Sequence, residues 1–484
     1  MINRRTFSAL LAGTVAAPNR AWSQQVTAKT AFYASTGPEL TLFDVDVGDG
    51  ALQKRSTVTL PANVQYAWPH PSKRYLYVVS SSGGPGVAGT THLANAFRID
   101  PSGALAPHGE PQSLPSRPIH TSVDRSGEYL LTAYNDPSNV TVHRINGDGS
   151  IGEPISQPDK LDAGIYGHQI RTTPGNQTAI LVARGNNTAG GKPEDPGALK
   201  LFGFKRGALT NLASIAPGTG LGFGPRHLDF HPSQPWVYVS IERQNKLYTY
   251  KLQSDGGLGR DPIFIKDTLA DPANVKPAQG AGPIHVHPNG RFVYLTNRNQ
   301  GEVEFEGKKV FNGGENNVAV FAIDAQTGEP SLVQTVEGHG IHLRTFGIDP
   351  SGQLLVAASI RPLAVRDGNA LKTLLFDRET GLVTALMRCA PGAVLPDHEH
   401  VKIEQTYVLE GKLVDKEGPA AGLEVKAGEF VWRESGSRHV AWTPEGGLML
   451  AMFQIPNKFY ERDGRVTDVA GQDWETVWGR VLKQ

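Results

Sequence analysis

One pattern recurs six times and constrains the fold more than any other feature: a short apolar segment, a tight turn, then an alternating strand ending in small or polar residues. The copies are Tyr66–Ser80 (YAWPHPSKRYLYVVS), Ile119–Tyr134 (IHTSVDRSGEYLLTAY), His168–Arg184, His227–Glu242 (HLDFHPSQPWVYVSIE), Ile284–Arg298 (IHVHPNGRFVYLTNR) and Arg344–Ser359 (RTFGIDPSGQLLVAAS). With Pro71, Arg125, Pro174, Pro232, Pro288 and Pro350 taken as equivalent, the intervals are 54, 49, 58, 56 and 62 residues. Alternating strands such as Lys246–Leu252 and Asn317–Asp324 follow most copies. Ala31–Asp46 has a strand pair without the preceding turn.

Each unit is too small to bury its apolar face alone and must stack on its neighbours. Four short strands per ~50 residues, repeated, predict a β-propeller, and six copies plus a partial one predict seven blades. The composition agrees: 55 glycines, 34 prolines and 19% charged residues suit a turn-rich all-β chain. Lys+Arg and Asp+Glu are both 47, which leaves no basic surplus to hold nucleic acid. The tracts Ser81–Gly89 and Gly185–Gly197 read as surface loops. His70, His231 and His287 fall in the turn pattern and read as structural.

Residues 1–23 stand apart. Arg4-Arg5 precede the apolar run Phe7–Ala17 and the small-residue site Ala21-Trp22-Ser23. Twin arginines before a modest apolar stretch predict export by the twin-arginine machinery. Removing this segment leaves 44 basic and 47 acidic side chains, near −3 net. No later apolar run is long enough to cross a bilayer, so a soluble periplasmic product is expected. Cys389 is the only cysteine, so no disulfide is available and the cores must carry stability. It reads as a buried strand residue and not as a nucleophile.

After Ser359 the pattern changes to short strands with Gly-rich turns, and the boundary is placed at 368/369. The expected organisation is a signal over 1–23, a propeller over 24–368 and a compact barrel over 369–484. Gly392–Gly411 reads GAVLPDHEHVKIEQTYVLEG: Gly, five residues, His-x-His, three residues, Glu, six residues, Gly. Gly428–His439 reads GEFVWRESGSRH: Gly, five residues, two more, Gly, two residues, His. These match the two motifs of the cupin family. Alternate side chains on a strand share a face, so His398 and His400 both point into the barrel. Glu404 returns to the interior after a turn, and His439 arrives from a second strand or turn. Three imidazoles and one carboxylate suit one divalent ion (Fe, Zn, Mn, Ni or Cu) without choosing among them.

The segments RETGLVTALMRCAPGAVLPDHEH, TYVLEGKLVD and AGEFVWRESGSRHVAW resemble the single-domain cupins that include anti-sigma-factor sensor domains and the dihydroxyacetophenone dioxygenase-like group. The tail PNKFYERDGRVTDVAGQDWETVWG is similar to tails in that group. Thr443 and Glu434 depart from the second motif's usual asparagine and proline, and neither departure removes a ligand.

The repeat region, residues 30–365, resembles the seven-bladed lactonase family, which includes bacterial 6-phosphogluconolactonase and fungal carboxymuconate lactonizing enzyme. The carrying segments are GFGPRHLDFHPSQPWVYVSIER, GPIHVHPNGRFVYLTNRN and LRTFGIDPSGQLLVAAS. The resemblance implies a fold that is all-β, a seven-bladed β-propeller followed by a cupin (jelly-roll) β-barrel. It also implies catalytic residues at His168 (YGHQIR), Arg226 (GPRH), Glu242 (SIER) and Arg298 (TNRN). Two guanidiniums bind a carboxylate or phosphate and stabilise the oxyanion of an attacked lactone. Glu242 or His168 is the candidate base, and the choice is open. The implied substrate is a small, anionic lactone of a sugar acid or aromatic-derived acid. A metal-dependent cupin dioxygenase with the propeller as scaffold, and a non-catalytic ligand sensor, stand as alternatives. One expectation is specific to the join: the last blade is short, and either Leu371–Phe376 or the Ala31–Asp46 pair completes the ring.

Overall fold

The computed structural model describes residues 30–468 except 49, 306–307, 339, 363, 367–368, 378 and 462–463. The expected export signal lies outside the described residues. Among the described residues the secondary structure is β throughout, apart from one single-turn 3₁₀ helix at Glu242–Gln244. No helix of the described residues is long and apolar enough to cross a membrane.

Among the described residues, seven successive antiparallel sheets follow one another along the first three-quarters of the chain, with a two-stranded hairpin, Glu302–Phe305 and Lys308–Phe311, inserted in the sixth. Their first strands are Thr30–Thr36, Asn63–Pro69, Pro118–Val123, Gly167–Thr172, Pro225–Phe230, Gly280–Val286 and Gly340–Ile348. From the second sheet onward, these first strands lie against those of neighbouring sheets, so they form the inner wall of a propeller. Each repeat in the sequence is a first strand, a turn and a second strand. Three of the second strands, Tyr75–Ser81, Thr178–Ala183 and Trp236–Ile241, are buried at every position.

The core lies between sheets, not within them. Ile180, Val182, Leu199 and Leu201 of the fourth sheet pack on Leu228, Val237, Val239 and Tyr250 of the fifth. Tyr238 and Leu247 of the fifth pack in turn on Ile284, Val293 and Phe321 of the sixth. Each such side chain, fully withdrawn from water, contributes roughly 1.5–3 kcal/mol.

The turn histidines latch successive sheets. The Nε2–H groups of His70, His231 and His287 donate to the carbonyls of Gly127, Gly290 and Gly352 in the next sheet's turn, at 3.0, 2.8 and 2.8 Å. Backbone N–H groups donate to each Nδ1, which assigns the ring proton to Nε2. A Cβ on any of those three glycines would fall 2.3–2.6 Å from the histidine ring, and all three have positive φ. Glycine there is required twice over, for the turn and for the latch.

The second to sixth sheets have four strands or more, but the two ends of the ring do not. Among the described residues the first sheet has three strands, and the seventh has only Gly340–Ile348 and Leu355–Pro362. Leu371–Phe376 does not complete the ring: it lies in strand Asn369–Asp377, which pairs with Leu382–Cys389 in the C-terminal barrel. The Ala31–Asp46 pair forms its sheet with Ala51–Thr59, and among the described residues it makes no ladder with Leu355–Pro362. Ile360 on that strand is 51% exposed.

The C-terminal barrel begins at Ala364–Arg366, which pairs with Asn369–Asp377, so the expected boundary at 368/369 falls within a hairpin. The long strand Glu404–Glu417 organises the barrel. Its first half pairs with Gly447–Gln454, and its second half pairs with Arg438–Thr443. The switch occurs at Gly411, where a Cβ would lie 2.0 Å from the Gly446 carbonyl oxygen. Cys389 is buried in the barrel core beside Met387, Val408 and Met449. Burial pushes its thiol up to about 11, the behaviour of a packing residue.

Candidate functional site

Two polar clusters stand out, one in each module. The first sits where the inner strands of the propeller begin. In the second to seventh sheets the pairing register slips near that point. The residues left without a cross-strand partner include His168 between Gly167 and Gln169, Arg226 between Pro225 and His227, and Arg344 between Leu343 and Thr345. A bulge of this kind bends the strand and re-aims one side chain out of the usual alternation. Thus two of the four expected residues are presented by bulges.

Glu242 opens the 3₁₀ turn that follows strand Trp236–Ile241. Its carboxylate accepts from Arg184 Nε and Arg298 Nη2, and from Arg226 Nη1 at 3.3 Å. Arg298 Nη1 also meets His342 Nε2 at 2.5 Å. Gly280 makes room for this cluster, since a Cβ there would lie 3.1 Å from Glu242 Cγ. Tyr166 and His342 hold left-handed φ values of 60° at the rim, an uncommon conformation for side chains of their size.

The charge count is unequal. Three guanidiniums face one carboxylate, and the exposed Arg344 adds a fourth positive group nearby. Burial pushes Glu242 upward, but Arg226, Arg298 and Arg184 outweigh it and hold the carboxyl well below the usual range. Glu242 is therefore a weak base. Burial drives His168 well below its ordinary value, and Arg226 and His227 push it further, so the ring is neutral at pH 7. Burial, with Arg298 and Arg344, takes His342 down to about 3. Arg226 Nε, Arg298 Nε, His168 Nδ1 and His342 Nδ1 are buried with no partner among the described residues. A buried polar group without a partner is costly. The arrangement suits an anion or a developing oxyanion.

The second cluster lies inside the barrel. His398 and His439 sit opposite one another on paired strands Ala393–Glu399 and Arg438–Thr443, and His400 follows the end of the first. All three are at most 4% exposed, and their candidate ligand nitrogens lie within 4.8 Å of one another. His400 Nε2 is 3.1 Å from both His439 Nε2 and Glu404 Oε2. Two nitrogens on one tetrahedral ion at 2.0–2.1 Å stand about 3.3 Å apart, so the spacing fits. His398 Nδ1–H donates to the Pro396 carbonyl at 2.7 Å and His439 Nδ1–H to Asp415 Oδ1 at 2.9 Å. Both rings therefore turn an Nε2 lone pair inward, the tautomer a metal needs. Glu404 is buried, and Arg433 and Asp415 close the network around it.

The structure thus brings Arg226, Glu242 and Arg298 together with His168 close to Arg226, and gathers His398, His400, Glu404 and His439. It adds Arg184, His342 and Arg344 to the first cluster, and Arg433 and Asp415 to the second. Arg184 was within reach of sequence reasoning, because it ends the third repeat as Glu242 and Arg298 end the fourth and fifth. Arg433 and Asp415 carry no comparable signal.

Comparison with known proteins places both modules. A family model for the ChrR cupin-like domain matches residues 353–458. A 6-phosphogluconolactonase of Pectobacterium carotovorum is 28% identical over 347 residues, covering 71% of this chain and 90% of that protein. The Bacillus subtilis 6-phosphogluconolactonase is 28% identical over 358 residues, with 71% and 89% covered. Among solved structures, the periplasmic gluconolactonase of Pseudomonas aeruginosa superposes with a TM-score of 0.52 at 19% identity, covering 86% of this chain and 98% of that one. The model for the lactonase seven-bladed β-propeller matches residues 26–393, and this chain belongs to that family.

Proposed function

We propose that this chain is an exported two-module enzyme whose propeller opens or closes a lactone of a sugar acid or aromatic-derived acid. The observation that carries this reading is the excess of guanidinium over carboxylate in a cluster where four buried nitrogens lack partners. The 6-phosphogluconolactonases to which the propeller is related act on an anionic lactone, and a cationic cluster suits such a substrate.

Arg226 and Arg298 receive the substrate's anionic group or the oxyanion that forms when water attacks the lactone carbonyl. Glu242 organises the guanidiniums; saturated by three of them, it does not abstract the proton. His168 does so through its unpartnered Nδ1. Its cationic neighbours oppose protonation of the ring, and an oxyanion arriving beside Arg226 offsets them as the transition state forms. The imidazolium then gives that proton to the ring oxygen as the oxyanion collapses and the C–O bond breaks, and closure of the lactone runs the same steps in reverse. The test is steady-state lactone hydrolysis by wild type, Arg226→Ala, Arg298→Ala and His168→Ala. Unchanged rates in all three variants would remove the site.

The cupin binds one divalent ion through the convergent imidazoles of His398, His400 and His439. Such an ion supplies Lewis-acid or redox chemistry when bound. Residues 1–23 direct export by the twin-arginine route, which lets the protein fold and take up its metal before translocation. Metal analysis of purified protein and fractionation of expressing cells test these two points.

A further inference from the structure

We propose that Arg344 and Arg117 form a second anion-binding subsite at the end of the propeller where the inner strands begin: it grips a fixed carboxylate or phosphate of the lactone and leaves Arg226 and Arg298 to the oxyanion. This inference rests on the reading of the propeller as a lactone-processing enzyme, and it names the residues that choose the substrate.

The pairing register places the two arginines. On the inner strands of the second, fourth, fifth and seventh sheets, the residue skipped by the ladder is Gln65, His168, Arg226 and Arg344 in turn. Each stands six residues before the equivalent turn proline, at Pro71, Pro174, Pro232 and Pro350. Bulges at one step of the repeat bring these side chains to one level of the ring. Arg117 directly precedes Pro118, the first residue of the third inner strand, and its Nε donates to Gln65 Oε1 at 2.9 Å. The first and seventh sheets meet, since a Cβ on Gly50 would stand 3.7 Å from Leu354 Cδ1. Counting round the ring, the third and seventh sheets flank the first two, on the side away from the fifth sheet that supplies Arg226 and Glu242.

These two guanidiniums differ from the others in having no carboxylate. Arg184, Arg226 and Arg298 are tied to Glu242. Arg117 is oriented by a neutral amide, and neither it nor Arg344 has an ion-pair partner among the described residues. Beyond the burial that dominates each shift, the charge of Arg344 is felt by Arg226, Arg298 and His342 on one side and by Arg117 on the other. Cations held near one another without an acid repel, and an anion between them relieves that repulsion. Arg344 is exposed and Arg117 half-buried, so both are open to an arriving ligand. The backbone that presents Arg344 is fixed: the His342 N–H donates to Asn316 Oδ1 at 2.7 Å, and the Leu343 carbonyl accepts from Thr296 Oγ1 at 3.4 Å.

A planar guanidinium fork meets a carboxylate or phosphate with two parallel hydrogen bonds. The charge of such a group does not change as the lactone opens. Its grip therefore acts equally on bound substrate and transition state and is read in KM. The oxyanion at Arg226 and Arg298 exists only during reaction and is read in kcat.

Steady-state hydrolysis of gluconolactone, 6-phosphogluconolactone and glucarolactone (the last with a free carboxylate) by the full-length protein provides the test. Arg344→Ala should lower the preference for the charged lactones over neutral gluconolactone by roughly 10- to 100-fold, through KM. Arg117→Ala should act in the same direction, and Arg344→Lys should recover part of the loss. Whichever charged lactone loses more in Arg344→Ala identifies the group held, phosphate or carboxylate. Arg226→Ala should instead lower kcat on all three. An equal loss on neutral and charged lactones in Arg344→Ala, or no loss, would overturn the subsite. Calorimetric titration with the open products 6-phosphogluconate and glucarate reads the subsite apart from turnover. Product binding that Arg344→Ala weakens about tenfold or more, in a protein that opens none of the lactones, would remove the lactonase reading and leave the subsite standing. Wild type that binds neither product and opens no lactone would overturn both.

Discussion

The two clusters use the same residue types to opposite ends. In the propeller, three guanidiniums share one carboxylate, and the nearby histidines are held neutral with buried nitrogens unpartnered. In the barrel, one guanidinium is matched by two carboxylates, and histidine lone pairs converge. The first arrangement leaves positive charge uncompensated and calls for an anion. The second leaves negative charge and neutral donors and calls for a cation. The lesson is that the sign of the imbalance, read after every internal ion pair has been counted, indicates what a buried polar cluster will hold.

The contrast can be broken by experiment. The largest expected effect is from Glu242→Gln, which leaves buried guanidiniums without their anion. Removing one member of a buried pair costs about 3–5 kcal/mol, and urea unfolding should show a loss of that size confined to the propeller transition. A loss below about 1 kcal/mol would mean the cluster is solvated like a surface pair. Next come Arg226→Ala and Arg298→Ala, each expected to lower kcat for lactone opening by about 10²–10³ while metal content stays at the wild-type level. His398→Ala should do the reverse, losing metal and keeping the lactone rate; variants that impair both would show that the modules act as one site.

A smaller effect tests the latches. His231→Ala removes one inter-sheet hydrogen bond and should cost roughly 0.5–1.5 kcal/mol by chemical denaturation, with activity intact. The smallest expected change is with pH. His168 is depressed, so it stays neutral across the window in which an ordinary histidine, near 6.5, would titrate. Lactone opening should therefore be flat between about pH 6 and 8; a step near 6.5 would contradict a buried neutral ring. Stability should follow the same logic. His120, His168 and His227 are all lowered by burial, so their contribution is complete above the unfolded value of about 6.5 and is lost as pH falls below it.

Much of this was legible in the residues alone. The repeat spacing gave the blades because each period is one unit that must stack, and the two Gly-His motifs gave the histidine cluster because ligand spacing on strands is rigid. His70, His231 and His287 read as structural and serve as latches. The rest was hidden for identifiable reasons. The bulges that present His168, Arg226 and Arg344 arise from pairing between strands, which no single strand records. Arg433 and Asp415 find each other only after the long strand Glu404–Glu417 changes pairing partner past Gly411. Leu371–Phe376 alternates as any half-buried strand does, so its pattern fits a blade or a barrel equally, and only the hairpin with Ala364–Arg366 assigns it.

That hairpin has a practical outcome. The last propeller strand ends at Pro362 and the first barrel strand begins at Ala364. Dissection of the gene at 368/369 would strip a strand from the barrel fragment, and the cut that spares both has almost no slack to work with. Anyone wishing to study the halves separately should expect poor yields from naive truncations, and would do better to silence one half by point substitution within the intact chain.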